Sequence, residues 1–402
     1  MKNSCLLLTA LLATALEAAP ELKFAVIVTR HGVRSPTWEA ARLNQYSAEP
    51  WPEWGVPPAD LTVRGAQLIK LMGGYYHEWF AAQKLIAPQG CQDAKRIYIW
   101  ADTNQRTLET GRALGASLLP GCKIPIQSRP EDESDPLFAG SVTPDPATAV
   151  KAVQARLAPG LVEKHQAAFE TLQRILGEGH NKILQPPVAV SVKPSADSVQ
   201  LNGPFNVSST LSENLLLEYA NGFQGKDLGW GRLNQDNLLQ VLELHAIYAD
   251  LMRRTPNLAQ TRGSGLLADI LASLKQAATG SLVPGAMGHP GDALLVLSGH
   301  DTNLSNLSGM LGLTWKLPTY QQDDTPPGGA LVFSLWRESN GQYTVHVQYI
   351  AQTLTQLREA APLTLKAPPA AADVTVPGCP APVCSWPVFQ KVIEKAISQP
   401  QR

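Results

Sequence analysis

After its first residues the chain has no apolar run of eighteen residues free of charge. It also has little cysteine, few aromatics (6%) and no surplus of either charge. The first shortage removes any expectation of a membrane-spanning helix. The charge balance, 33 Lys and Arg against 34 Asp and Glu, leaves a formal net charge of −1. No global field therefore draws the chain to nucleic acid or to anionic lipid, and neither is expected as a partner. An anion site has to come from a local cluster of positive groups. The spacing of the five cysteines offers no paired C-x-x-C zinc ligands. No G-x-S-x-G elbow is present, which argues against a serine hydrolase. His77-Glu78 starts like a zincin helix, but position 81 is Ala81. Gly263 to Ala268 fits a loose G-x-G-x-x-A pattern but follows no strand, so a dinucleotide site fails its own context test.

What is present suits a globular enzyme. The length, 402 residues, with 44% hydrophobic and 17% charged residues, favours two compact domains. Lys2, the apolar stretch Leu6 to Leu16 and the small residues Ala18 and Ala19 read as a secretory signal peptide over 1–19, so the mature protein is expected to be periplasmic or secreted. Cys5 leaves with it. The remaining four cysteines are even in number in an exported chain, which suggests disulfides Cys91–Cys122 and Cys379–Cys384. Four free thiols are the alternative if the cysteines stay reduced.

Phe24 to Thr29, Ile97 to Ala101 and Leu294 to Leu297 are short apolar runs of the kind found in buried parallel strands. Helical spacing follows at Leu61 to Phe80 and Thr107 to Leu119. Ala330 to Leu335 and Tyr343 to Ile350 read as further strands of the same sheet. The stretch from Thr143 to Arg254 is helical in pattern, as in Lys151 to Leu176 and Leu238 to Met252, and a last short helix is expected near Val388 to Ile397. The expected fold is α/β, a mainly parallel central sheet flanked by helices over 20–142 and 255–402, with a mainly α-helical domain inserted over 143–254.

Ligands of open α/β sheets bind beyond the carboxyl ends of the strands. The three buried strands end in Arg30-His31-Gly32-Val33-Arg34, in Asp102-Thr103-Asn104-Gln105-Arg106 and in Ser298-Gly299-His300-Asp301-Thr302-Asn303. Arg30, Arg34 and Arg106 can grip the oxygens of a tetrahedral anion without a metal. A neutral imidazole at His31 is a competent nucleophile for phosphorus, Gly32 lets backbone approach the site, and Asp301 can protonate a leaving alkoxide. The blander alternative is that Asp301 N-caps the helix beginning near Thr302. Asn206, Asn303 and Asn306 start N-x-S sequons, the last two too near the site for modification to be expected.

RHGVRSPT and SGHDTNL resemble the two signatures of the histidine acid phosphatases. ADTNQRTLETG, DPLF, GWGRL, RTP and TPPGGALVFSLWR resemble the bacterial periplasmic branch of acid phosphatase/phytases and glucose-1-phosphatases. The resemblance implies the phosphoglycerate mutase-like fold, a phosphohistidine intermediate, and neither a metal nor another cofactor. It implies His31 as nucleophile and Asp301 as proton donor. Arg30, Arg34, Arg106 and His300 match phosphate-binding positions, and Thr37, Trp38, Glu213, His245 and Arg262 lie near the substrate pocket. Gly32-Val33 and Thr302 side with the phytase branch, whose substrate is inositol hexakisphosphate. Trp38 departs from it, since lysine is usual there, and Trp51 to Pro57 is similar to the glucose-1-phosphatase side. A monomer acting on a small phosphate monoester is expected. A glucose-1-phosphatase-like sugar-phosphate phosphatase is the alternative enzyme, and an exported phosphate-binding protein without turnover is the alternative outside enzymes.

Overall fold

The computed structural model describes residues 19–131, 133–140, 143–177, 183–184, 188–196 and 198–398. The expected signal peptide, apart from residue 19, lies outside them, as do Pro186 and Pro187. Ten strands are described: β1 (Glu21–Arg30), β2 (Ile97–Ala101), β3 (Ile126–Gln127), β4 (Ser191–Ser195), β5 (Ser198–Asn202), β6 (Leu294–Gly299), β7 (Ala330–Arg337), β8 (Tyr343–Ala351), β9 (Ala370–Asp373) and β10 (Val383–Ser385). Eight of them form the central sheet, in the order β10-β8-β7-β1-β6-β2-β3 with β9 beside β8. β1, β6, β2 and β3 run parallel to one another, while β7 and β8 extend the sheet antiparallel past β1.

β1 is apolar on both faces because both are covered. Phe24, Val26 and Val28 join a core shared with Leu215, Leu242 and Leu266 of the helical segments. Ala25 and Ile27 face Ile69, Met72 and Phe80 of the helix Val63–Ala82, with Leu114 and Leu118 of the helix Gln105–Leu118. Double coverage turns the usual alternation into a continuous hydrophobic run, which is why the strand was readable.

The parallel register aligns three strand ends. Arg30 lies opposite Gly299, and Ala101 opposite Ser298. The His31 amide donates to the Gly299 carbonyl at 2.9 Å and the Asp102 amide to the Ser298 carbonyl at 3.0 Å. The chain therefore leaves β1 at His31, β2 at Asp102 and β6 at His300 on one level of the sheet edge.

Between β3 and β6 the chain is mostly helical, as expected, with two differences. The helix expected over Lys151 to Leu176 is three: Pro146–Gln154, Leu161–Lys164 and Gln166–Leu176. Pro159 lacks an amide hydrogen and Gly160 takes φ of +70°, so the helical ladder cannot run through. A two-stranded hairpin, β4 with β5, also interrupts the helices. Its Ser191-Val192-Lys193-Pro194-Ser195 strand has no apolar alternation to announce it. The helices Pro204–Asn221 and Gln235–Arg253 follow, then Pro256–Thr279. Disulfides join Cys91 to Cys122 and Cys379 to Cys384. Among the described residues no helix is long and apolar enough to cross a membrane.

One buried carboxyl group ties the helix Pro204–Asn221 to the turn after it. Glu218 is fully buried and accepts the Gly229 amide at 2.9 Å, in a turn where Gly229, Trp230 and Gly231 all have positive φ. Burial, with some help from Asp227, pushes its pKa up to about 8 against the pull of the Gly229 hydrogen bond. A carboxyl group whose folded pKa is raised binds its proton more tightly in the native state. Its stabilising effect is complete below the unfolded value of about 4.3 and drains away as pH rises towards 8. Thermal unfolding of the wild type should thus lose up to about 1.4 kcal/mol per pH unit in that window. Glu218→Gln should flatten this slope, and an unchanged slope of Tm against pH in the variant would contradict the assignment.

Candidate active site

The first strand end delivers a buried guanidinium and a buried imidazole in succession. Arg30 is 1% exposed and His31 2%. Arg30 donates to the Thr325 carbonyl at 2.6 Å and to Glu213, whose other oxygen takes a hydrogen bond from Arg34 at 3.2 Å. Glu213 comes from the helix Pro204–Asn221 and thus ties two like charges together from below. Arg30 and Arg34 hold its pKa down to about 2 despite the opposing effect of burial.

The orientation of His31 follows from its own backbone. Nδ1 lies 2.8 Å from the Gly32 carbonyl, which can only accept, so Nδ1 carries the proton and Nε2 keeps a lone pair. Burial is the largest cause of a pKa well below the ordinary imidazole range, reinforced by Arg30, Arg106, Arg34 and His300. The ring therefore stays neutral further into acid than a free imidazole. Gly32 has a different use from the one expected. A Cβ there would meet Ile69 Cγ1 at 2.8 Å and the Gly65 carbonyl at 3.0 Å, so its lack of a side chain admits the helix Val63–Ala82.

The second and third strand ends meet across the cup. His300 Nε2 lies 2.6 Å from Asp102 Oδ2, and its Nδ1 lies 3.5 Å from an Arg106 nitrogen. The His31 and His300 rings are edge to face with centroids 5.5 Å apart. Burial lowers the pKa of His300 against the opposing pull of Asp102. Burial, with Arg34 nearby, brings Arg106 down to about 10, still cationic in acid. At the start of the helix Asp301–Leu311 the cap position falls to His300, whose amide donates to Asn303 Oδ1 at 2.9 Å. Asp301 is thus the first helical residue and not the N-cap, and its Oδ1 accepts the neighbouring Thr302 amide at 2.9 Å. The other oxygen is ion-paired with Arg253. Burial would raise the Asp301 pKa, but Arg253 and then Arg30 hold it well below the usual carboxylate range.

A cavity of about 710 Å³ opens above these groups, lined by His31, Arg34, Arg106, His300 and Asp301 and walled by Thr37, Arg262, Phe138 and Asn306. Glu131 and Glu133 also line it. Of the residues assigned to the pocket from sequence, Thr37 and Arg262 are in this wall. Glu213 and His245 are buried against its charged groups rather than lining it. His245 Nδ1 pairs with Ser209 Oγ at 3.1 Å. Trp38 faces a neighbouring pocket of about 420 Å³ with Trp51, Trp54 and Pro57, where Arg42 packs 3.6 Å from its ring centre. Asn303 and Asn306 are buried, which bars glycan attachment in the folded state. Donor atoms of Glu213, His245 and Asp301 fall within 4.8 Å of one another. The guanidinium groups of Arg30, Arg34 and Arg253 already supply positive charge to both of those carboxylates.

Two partners were not recognised in the sequence. Asp102 stood in a strand-end segment but carried no sign that it would orient His300. Arg253 closes a helix, where a cation is ordinarily explained by the helix dipole. Removing Glu213 should show how much the cup depends on it. Glu213→Ala leaves two buried guanidinium groups unpaired, and about 3–5 kcal/mol of stability should be lost. Millimolar inorganic phosphate should raise the Tm of this variant more than that of the wild type, because the anion replaces the missing charge. An equal rise in both proteins, measured by thermal unfolding, would contradict this.

The histidine phosphatase superfamily (branch 2) pattern matches residues 21–351. The chain is 34% identical over 413 residues to phytase AppA of Escherichia coli (strain K12), covering 94% of this chain and 93% of the relative. It is 27% identical over 392 residues to a glucose-1-phosphatase of Providencia rettgeri, covering 93% and 91%. The structure of Hafnia alvei phytase in complex with tartrate superposes with a TM-score of 0.88 at 35% identity, over 96% of this chain and 98% of that one. The same phytase in complex with myo-inositol hexakis sulphate gives 0.86 at 34%, with the same coverage. A strand-end Arg-His-Gly-x-Arg, a second His-Asp strand end beside it and similarity along nearly the whole chain agree: the protein belongs to branch 2 of the histidine phosphatase superfamily.

Proposed function

We propose that this chain is an acid phosphatase of the phytase class that cleaves phosphate monoesters through a phosphohistidine on His31 Nε2. The observation that carries this reading is the state of His31: neutral, with Nδ1 committed to the Gly32 carbonyl and Nε2 free, beside the three guanidinium groups of Arg30, Arg34 and Arg106. An imidazole protected from protonation by burial and by its cationic surroundings remains nucleophilic at a pH where free histidine is protonated.

In the first step Nε2 attacks phosphorus and the bond to the leaving oxygen breaks. The protonated form of Asp301 gives its proton to that oxygen, so the alcohol departs neutral. Arg30, Arg34, Arg106 and His300 hold the remaining phosphoryl oxygens as their charge is redistributed. In the second step water attacks the phosphohistidine, the carboxylate of Asp301 takes the proton, and inorganic phosphate leaves with His31 neutral again. Asp102 keeps His300 in position throughout.

Inositol hexakisphosphate is the proposed substrate, from the similarity to the phytases and from an open cavity of about 710 Å³. A sugar monophosphate is the second reading. The carboxylates of Glu131 and Glu133 in the cavity wall suit hydroxyl groups better than phosphates, and Trp38 rather than a cation stands beside it. The proposal extends to a monomer exported after loss of residues 1–19, and to a helical domain over 143–254 inserted in the α/β domain.

Turnover of p-nitrophenyl phosphate at acid pH should survive EDTA and vanish in His31→Ala, and repeated turnover by that variant would end the nucleophile assignment. The low-pH limb of kcat/KM reports groups of the free enzyme. It should lie below the ordinary imidazole value of about 6.5, because a depressed pKa leaves His31 neutral further into acid. Comparing phytate with glucose 1-phosphate at acid pH separates the two substrate readings.

A further inference from the structure

The proposed proton donor is paired with an arginine that the mechanism does not use. Arg253 is the last residue of the helix Gln235–Arg253, and its guanidinium donates to Asp301 Oδ2. Both side chains are largely buried, at 16% and 11% exposure, so the pair is only weakly screened by solvent. Asp301 Oδ1 is spent on the Thr302 amide, so both carboxylate oxygens accept hydrogen bonds. The other ionisable groups acting on Asp301 come from every neighbouring element. Arg30, His31 and Arg34 come from the end of β1, Arg106 from the helix after β2, and His245 from the same helix as Arg253. Glu213 comes from the helix Pro204–Asn221, Tyr349 from β8, and His300 is adjacent. When a phosphate occupies the cup, its negative charge offsets Arg30, Arg34 and Arg106. Arg253, on the far oxygen of Asp301, is not among the groups proposed to grip that phosphate.

We propose that Arg253 is a positioning residue that fixes the carboxyl group of Asp301 towards the cup and confines its acid form to low pH, so that it sets the upper pH limit for expelling poor leaving groups. This rests on the reading of Asp301 as proton donor. The consequence depends on the substrate. A p-nitrophenolate leaves without a proton, whereas the alkoxide of glycerol 2-phosphate cannot. Hydrolysis of the phosphohistidine is common to both substrates, so the difference lies in the first step: in kcat/KM, which ends at departure of the leaving group, Arg253 acts on the pH profile of alkyl phosphates and spares that of p-nitrophenyl phosphate.

The test is the high-pH limb of kcat/KM for both substrates in wild type, Arg253→Gln and Arg253→Lys. An adjacent guanidinium typically lowers a carboxyl pKa by about 1–3 units. The Gln variant should move the glycerol 2-phosphate limb up by about that amount and leave p-nitrophenyl phosphate turnover within about threefold. The Lys variant, which keeps the charge, should hold the limb near the wild-type position. A Gln variant that turns over p-nitrophenyl phosphate normally with an unmoved glycerol 2-phosphate limb overturns the proposal, as does a Lys variant shifted as far as Gln. Should the Gln variant not fold, carbonyl-detected NMR titration of Asp301 in the wild type decides. Titration below the ordinary value of about 3.9 in the empty protein, rising on addition of inorganic phosphate, supports the proposal, and titration at or above that value overturns it. Asp301→Asn keeps the underlying reading separate. If it lowers kcat/KM for glycerol 2-phosphate and p-nitrophenyl phosphate equally, Asp301 is not the proton donor, whatever Arg253 does.

Discussion

Two guanidinium groups buried side by side repel each other and have both lost their water, and the cup stands only because Glu213 answers them. Its two oxygens each take one arginine, Arg30 and Arg34, so the carboxylate fixes their spacing as well as neutralising part of their charge. Isolated charges in a low-dielectric interior cost several kcal/mol each, and a shared counter-ion is the usual way to hold them. The arrangement leaves a net positive charge facing the cavity, the condition for binding a phosphate dianion. It also engages both carboxylate oxygens of Glu213, which the family resemblance had placed near the pocket.

The same excess charge has opposite consequences for the proposed nucleophile and the proposed proton donor. Added to the larger effect of burial, a cationic neighbourhood keeps His31 unprotonated, which serves the proposed nucleophile. It also keeps Asp301 ionised, which opposes a proton donor. A phosphate entering the cup is the natural resolution, since its charge cancels the local field of Arg30, Arg34 and Arg106. Acid pH supplies the rest. The acidic working range thus arises from the grip on phosphate itself and does not need a separate adaptation. Glu218, far from the cup in role, leans the same way, because its burial favours the protonated, low-pH form of the fold.

How much of this was legible varied with how local the signal was. β1, β2 and β6 announced themselves as continuous apolar runs because both faces of the sheet are covered, and the residues after them fell on one edge because the strands are parallel neighbours. The long-range partnerships were not legible. Asp102 meets His300 across 198 positions and Arg253 meets Asp301 across 48, and no spacing rule connects either pair. The β4-β5 hairpin escaped because polar residues and a proline replaced the alternation that marks a strand. Gly32 carries a constraint that its place beside His31 did not reveal: the helix Val63–Ala82 packs where a side chain would stand.

Reaction and substrate are written in different parts of the molecule. The reaction depends on groups at three strand ends whose positions follow from the sheet register, and any phosphate monoester presents the same tetrahedral head to them. The rest of the substrate meets the outer wall: Thr37, Arg262, Glu131 and Glu133, with the tryptophan-lined pocket around Trp38 alongside. These residues come from loops and, for Arg262, from the body of the helix Pro256–Thr279, none of which the sheet register constrains, so they can change without disturbing the cup. The motif around His31 therefore identifies the chemistry firmly, while just past Arg34, Ser35 and Pro36 the chain turns from Thr37 in the cavity wall to Trp38 outside it. The boundary between what is shared by a phosphatase family and what distinguishes one substrate from another lies between those two side chains.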